Sequence, residues 1–393
     1  MLVVLRVKDI PPYPWGKFFY KHFYHCSYPF LFKLQHSKVM RAVVCLIFLL
    51  CSTAQLPAQT LGGQSAYNFL KFPASPQVSA LGGINISHQS NDLSLAFGNP
   101  AQLDSAMHTQ MVANFNALYA GVKNLHWMMA FRNQQLQTNF AAGILYFDYG
   151  ATQQTDASGN VEGIYRPRDF VVQLMASREY LNRWKYGVSL KFLASNYGPY
   201  RSSAIAADVA VLYRDTANLL QASVVAVNMG GQLKRYNPAE PEELPFDLQI
   251  GISKRLAKAP IRFSLTAHHL HRFNILYNDT VFNNENGFEN ASAKKFTFDK
   301  LFQHFVFSTQ ILIGGRVEVS AGFNVLRNQE LKVSTGGNGL TGFSLGAGVL
   351  FSKLQLRYAR TYFQNNIAYN QLGLTMPLNQ YFGLGSWGEK AGW

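Results

Sequence analysis

Charged residues make up only 14% of this 393-residue chain, against roughly 25% in an average soluble globular protein. Cysteine is nearly absent: Cys26, Cys45 and Cys51 are the full set, and none lies beyond residue 58. Past that point a disulfide, a thiolate nucleophile and a cysteine metal site are all excluded, as suits an exported protein. Long apolar runs are missing too. Downstream of residue 60 no stretch approaches the roughly 18 consecutive apolar residues of a membrane-crossing helix. The chain is basic, at +14. It has no zinc-finger spacing, basic helix or RNP-like strand, so nucleic acid is not an expected partner.

What is present begins with a leader. Met40 and Arg41 precede a short apolar run at 42–50, and small and polar residues follow. This reads as a signal peptide over 40–58, cut after Ala54 or, by preference, Ala58. Leu50 lacks the small side chain that an acylation signal places before a cysteine such as Cys51. Residues 1–39 are basic and aromatic without a period. They are expected to be a non-native extension, with an unusually long n-region as the alternative. Residues 1–58 hold seven Lys/Arg and one Asp, so the remainder carries +8, a balance suited to an anionic surface such as lipopolysaccharide.

From about 107 to 376 the chain alternates. Arg316, Glu318, Ser320, Gly322 and Asn324 fall on one face of a strand, and Val317, Val319, Ala321, Phe323 and Val325 on the other. Phe246, Leu248, Ile250 and Ile252 oppose Asp247, Gln249, Gly251 and Ser253 in the same way. A period of two with one wet and one apolar face is the mark of a sheet. The pattern predicts strands at 107–119, 123–131, 138–149, 169–180, 184–194, 202–213, 218–228, 246–254, 260–270, 300–311, 315–325, 341–351, 353–363 and 366–376. Every other gap is short. The long ones, 150–168, 195–201, 229–245, 271–299 and 326–340, fall between those, as in outer-membrane barrels with short periplasmic turns and long outside loops. The predicted fold is all-β: a transmembrane antiparallel barrel of about 14 strands over 107–376, with a tail at 377–393. A soluble β-barrel is the alternative. Residues 59–106, rich in Gly, Ser, Ala and Asn, either plug the lumen or form a flexible periplasmic leader. The plug is preferred, because Tyr67, Phe69, Leu70 and Phe72 would otherwise be exposed.

Candidate chemistry is sparse. Ser292 and Lys295 match Ser-x-x-Lys, but they lie in the longest polar loop and no Lys-Thr-Gly follows. No enzyme activity and no cofactor are expected. His268, His269 and His271 are expected at the outer membrane interface rather than on a metal. In a strand His268 and His269 would face opposite ways, while His269 and His271 could share an ion if the strand continued, and no acidic residue is obvious before Asp279. Arg166 and Arg168, at the approach to the fourth strand, either pair with Asp169 or Glu162 or grip an anion. Lys234 and Arg235, in a proline-rich loop with Glu240, Glu242 and Glu243, are further partner-contact candidates.

A resemblance adds to this reading. Gly62-Gly63-Gln64-Ser65-Ala66-Tyr67-Asn68-Phe69-Leu70, then Ala80-Leu81-Gly82-Gly83 and Ala96-Phe97-Gly98-Asn99-Pro100-Ala101, resemble the amino-terminal signature of PorQ-like proteins. So do Tyr165-Arg166-Pro167-Arg168-Asp169-Phe170, Leu244-Pro245-Phe246-Asp247-Leu248-Gln249 and Thr266-Ala267-His268-His269-Leu270-His271-Arg272-Phe273. The likeness runs from about residue 60 to the carboxyl end. It implies a fourteen-strand barrel of the PorV/PorQ family, related to fatty-acid transporters, in the outer membrane of Bacteroidetes. It implies a non-enzymatic part in type IX secretion: tethering a PorZ-like surface protein beside PorU and PorV homologues, where cargo is joined to lipopolysaccharide. The alternative is an outer-membrane transporter for a hydrophobic small molecule.

Overall fold

The computed structural model describes residues 65–239, 241–273, 275, 297–331, 339–364 and 367–382. The leader at 40–58, residues 1–39 and the Ser292–Lys295 pair lie outside them. The barrel strands are β1 (Gln110–Ala117), β2 (Lys123–Asn133), β3 (Thr138–Asp148), β6 (Arg168–Tyr180), β7 (Trp184–Tyr197), β8 (Tyr200–Asp215) and β9 (Leu220–Lys234). They continue with β10 (Asp247–Arg255), β11 (Ile261–Ala267), β12 (Phe305–Ile313), β13 (Val317–Asn324), β14 (Phe343–Leu350), β15 (Gln355–Gln364) and β16 (Ile367–Pro377). These fourteen close into one barrel. Each pairs antiparallel with its chain neighbours, and β1 meets β16 from Gln110–Pro377 to Ala117–Asn370. Closure leaves no row of unpaired amides, the one arrangement of strands that hydrocarbon tolerates.

All fourteen predicted strands are present. One predicted loop is not: β7 and β8 run on to Tyr197 and Tyr200, so 195–201 is mostly strand around a tight turn. Likewise β9 takes residues 229–234 from the loop at 229–245. Within 150–168 a separate hairpin forms from β4 (Thr152–Thr155) and β5 (Val161–Tyr165). Its turn is held by Asp156, whose carboxylate accepts the backbone N–H of Ser158 and Asn160.

The barrel is inside-out relative to a soluble protein. On β13, Glu318, Ser320 and Asn324 are buried inward, while Val317 and Val319 are exposed outward. On β10, Asp247, Gln249 and Ser253 are buried, and Ile250 and Ile252 are exposed. Leu125, Ile144, Leu174, Leu190, Phe263, Leu345 and Leu372 continue the outer apolar belt. That belt suits lipid and disfavours the soluble alternative.

The lumen is filled by the segment before β1. It runs as short turns: Asn68–Lys71, α1 (Pro76–Ala80), Leu93–Phe97, Pro100–Gln102 and Ser105–Met107. Each of the last four starts on a polar cap. Ser75, Asp92, Asn99 and Asp104 accept the backbone N–H of Val78, Ser94, Ala101 and Ala106. Pro76 and Pro100 sit where a missing N–H costs nothing. Phe69, Leu93, Phe97, Leu103 and Met107 then pack on inward Val112, Met128, Leu145, Phe147 and Leu193. The inner face near β1–β3 is therefore partly apolar, which is why the alternation there is less clean than on β10 and β13.

Two wall glycines set how closely the plug approaches. A Cβ at Gly322 would overlap the backbone of Leu81 and Gly82, and one at Gly187 that of Pro100 and Ala101. Gly322→Val is expected to cost about 1–3 kcal/mol through this overlap. It should lower the unfolding temperature of the heat-modifiable form in detergent, while Val319→Ile on the lipid face leaves it unchanged. Equal midpoints for the two variants would mean that the plug does not press on the wall here.

Candidate functional site

Plug and wall are joined by buried charge as well as by shape. Asp104 of the plug pairs with Lys185 of β7 and, at 3.1 Å, with Arg214 of β8. Asp92 lies 3.4 Å from Arg357 of β15, which also reaches Glu318 of β13 at 2.5 Å. On the wall, Lys191 meets Asp208 at 2.8 Å and stands over the Phe97 ring. Polar contacts complete the joint: Asn85 to Ser308 at 3.1 Å, Ser87 to Ser253 at 2.8 Å, Asn99 to Ser223 at 2.8 Å and Tyr67 to Ser202 at 2.6 Å.

Among the described residues, a cluster of possible ligand groups stands at the long-loop end of β10–β12. Asp247, His268 and His269 bring their ligand atoms within 4.8 Å of one another. The expectation that the two histidines diverge fails for a local reason. β11 ends at Ala267, and His269 takes φ 55°, a left-handed conformation uncommon outside glycine. The ring turns back, so the two Nδ1 atoms approach to 2.5 Å. The backbone N–H of His269 donates to Asp247 at 2.5 Å, and Gln249 donates to the same carboxylate at 2.7 Å. His268 also exchanges two bonds with His304: its N–H donates to the His304 carbonyl at 2.9 Å, and Nδ1 of His304 lies 2.7 Å from the His268 carbonyl. The cluster thus clamps three strand ends.

Nor does His268 lie at the lipid interface as expected: it is completely buried, turned into the barrel. His269 is partly exposed, and His271 packs edge-on against Phe246. Burial is the leading cause that holds all three imidazoles below their ordinary range. The rings are therefore neutral, the form that coordinates a divalent cation such as zinc. Asp247, missed in the sequence, is supplied by the neighbouring strand. Only the β10–β11 register, Ile250 opposite Ala267, brings it there.

The arginines distribute differently. Asp169 faces inward and accepts the hydroxyls of Tyr149 at 2.6 Å and Tyr197 at 2.8 Å. Neither Arg166 nor Arg168 pairs with it or with Glu162. Arg166 is exposed near the β5 end. Arg235 donates to the Pro238 carbonyl at 3.2 Å. Arg168 and Lys234, however, line one cleft of about 430 Å³, together with Arg201, a residue the sequence pattern did not single out.

No protein-family model matches this chain, and no curated protein matches it. Among solved structures it is similar to the Pseudomonas putida toluene transporter TodX: 10% identity, 78% of this chain and 98% of that one covered, TM-score 0.44. It is also similar to a Pseudomonas aeruginosa FadL homologue: 9% identity, 77% and 98% covered, TM-score 0.44.

The histidine clamp has a definite pH dependence. The folded rings titrate below the unfolded value of about 6.5, so below that pH the unfolded chain binds protons that the folded one does not. The histidines' contribution is complete above about pH 7 and is lost as pH falls. Wild-type barrel in detergent should lose more stability between pH 8 and pH 5 than the His268→Gln, His269→Asn double variant, by more than about 1 kcal/mol. Parallel losses would show that the clamp is not the acid-sensitive element.

Proposed function

We propose that this chain is a sealed outer-membrane barrel, a non-enzymatic scaffold whose work is done at its long-loop mouth. The supporting observation is the plug. Its backbone and charges are fastened to wall strands β1, β6–β8, β10 and β12–β16 by buried contacts. A lumen held on so many sides is a poor conduit and a rigid platform. The resemblance to PorQ-like proteins supplies the partner: a PorZ-like surface protein held beside PorU and PorV homologues in type IX secretion, in Bacteroidetes. The exposed hairpin β4–β5 and the residues around Pro238 and Pro241 offer it edges and side chains.

The second reading is an outer-membrane transporter for a hydrophobic small molecule. Two features favour it. The plug meets the wall of β1–β3 and β6–β8 through an apolar layer. The lipid face also carries an apolar hollow of about 480 Å³, lined by Ile252, Phe263, Leu265, Phe307, Phe323 and Phe343.

Two measurements separate the readings. In a planar bilayer the scaffold is expected to show no open-channel conductance, and the purified protein to carry no hydrophobic ligand at unit stoichiometry. In cells, replacing 153–164 or 237–241 by a short Gly-Ser turn spares Tyr236, Glu242 and Glu243 near the plug. With the barrel still heat-modifiable, one of these replacements should release the surface partner into the medium. Full retention with both, together with a co-purifying apolar ligand, would replace the scaffold with the transporter.

A further inference from the structure

The cleft formed by Arg168, Arg201 and Lys234 lies on the outside of the barrel. In the strand ladder Arg168 stands opposite Asn196, and Asn196 opposite Arg201. Two guanidinium side chains therefore flank one amide on the same outward face, about 10 Å apart at the backbone by the spacing of strands. Lys234 lies opposite Ser203, two residues from Arg201. All three cations are exposed, and none is in an ion pair among the described residues. The nearest carboxylate in the ladder, Asp148 opposite Arg168, accepts the Gly150 N–H at 2.9 Å and also makes no ion pair.

The surroundings say what such a cleft would meet. It sits where β6, β7, β8 and β9 reach the long-loop rim. The floor is Phe170 and Ala194. Immediately along the same outer face come Val172, Phe192 and Ile205, which are exposed members of the lipid-facing belt. Three uncompensated cations with hydroxyl and amide donors, seated on the edge of an apolar belt, match an anion carried on hydrocarbon. Arginine forks suit phosphate oxygens, and a soluble anion would have no use for the apolar floor.

We propose that this cleft binds the phosphate of an anionic membrane lipid, lipopolysaccharide in the outer leaflet. The inference rests on the outer-membrane reading and not on the scaffold role. A lipid held there would fix the barrel's height in the leaflet and cover the open face of β6–β9.

The test uses the full chain purified in detergent, with native mass spectrometry and titration against lipid A, phosphatidylglycerol and inorganic phosphate. Wild type is expected to hold one lipid A, more weakly at high salt. The triple variant Arg168→Gln, Arg201→Gln, Lys234→Gln should bind it at least tenfold less tightly while keeping its heat-modifiable fold. Arg178→Gln, on β6 at the opposite rim, should bind as wild type does. Phosphatidylglycerol should bind less tightly than lipid A, and millimolar phosphate should not compete. Undiminished lipid A binding by the triple variant, or an equal loss in Arg178→Gln, would overturn the site. Competition by free phosphate would make it a simple anion site, which also overturns the proposal. Surface-partner retention, measured on the same triple variant, should be unchanged. Its loss with lipid binding intact would assign the cleft to a protein contact instead.

Discussion

An irregular chain inside a barrel has no regular ladder of its own, so its amides and carbonyls must be met by the wall. Each buried group left unmet costs on the order of 1–3 kcal/mol. Here the inward polar side chains meet them. Ser177 donates to the Leu103 carbonyl at 3.1 Å, Gln173 to that of Phe97 at 3.3 Å, Asn114 to that of Ala74 at 3.3 Å and Gln371 to that of Pro73 at 3.3 Å. Asn324 donates to the Gly82 carbonyl from the far side of the barrel at 3.3 Å. The Ser, Asn and Gln that give the strands their wet face are thus the complement of the plug backbone. The glycines belong to the same constraint, since Gly187 and Gly322 let backbone lie on backbone.

Charge is handled the same way. Arg357 sits between Asp92 and Glu318, and Asp104 between Lys185 and Arg214. In the buried Arg357 group a pair adds little over an apolar replacement, but removing one partner costs about 3–5 kcal/mol, because the other is left unpaired in a dry site, whereas Asp104 and Arg214 keep some contact with solvent. These pairs therefore specify one position of the plug more than they strengthen the barrel. A shift by one residue would draw Asp92 away from Arg357 and Asp104 away from Lys185 and Arg214.

The strands were legible because lipid and a polar interior impose opposite demands on alternate residues, so a period of two survives in β10 and β13 without help from the fold. The plug was legible only as a segment that needed cover. Its turns follow local caps at Ser75, Asp92, Asn99 and Asp104, but which wall residues receive it depends on barrel closure. The mouth cluster was misread at a single torsion. Nothing in the sequence His268-His269-Leu270-His271 announces that His269 leaves the strand with positive φ, and that inversion converts diverging rings into converging ones. Arg201 was missed for a related reason. It joins Arg168 through two register steps across Asn196, a relation visible in the ladder and invisible in sequence distance.

The filled lumen bears on where the proposed function would reside. Several wall hydroxyls and amides, those of Ser177, Asn114, Gln371 and Asn324 among them, are bonded to the plug backbone, so a solute crossing the lumen there would have to break those bonds or replace them. An apolar solute can replace none of them. Among the described residues, the proposed contacts would fall on groups the plug does not use: the β4–β5 hairpin, the residues around Pro238, and the cations at the rim of β6–β9. The ion pairs of Asp92 and Asp104 tie the plug to β7, β8 and β15, so the proposed contacts at the rim would project from a barrel whose filling is held in one position.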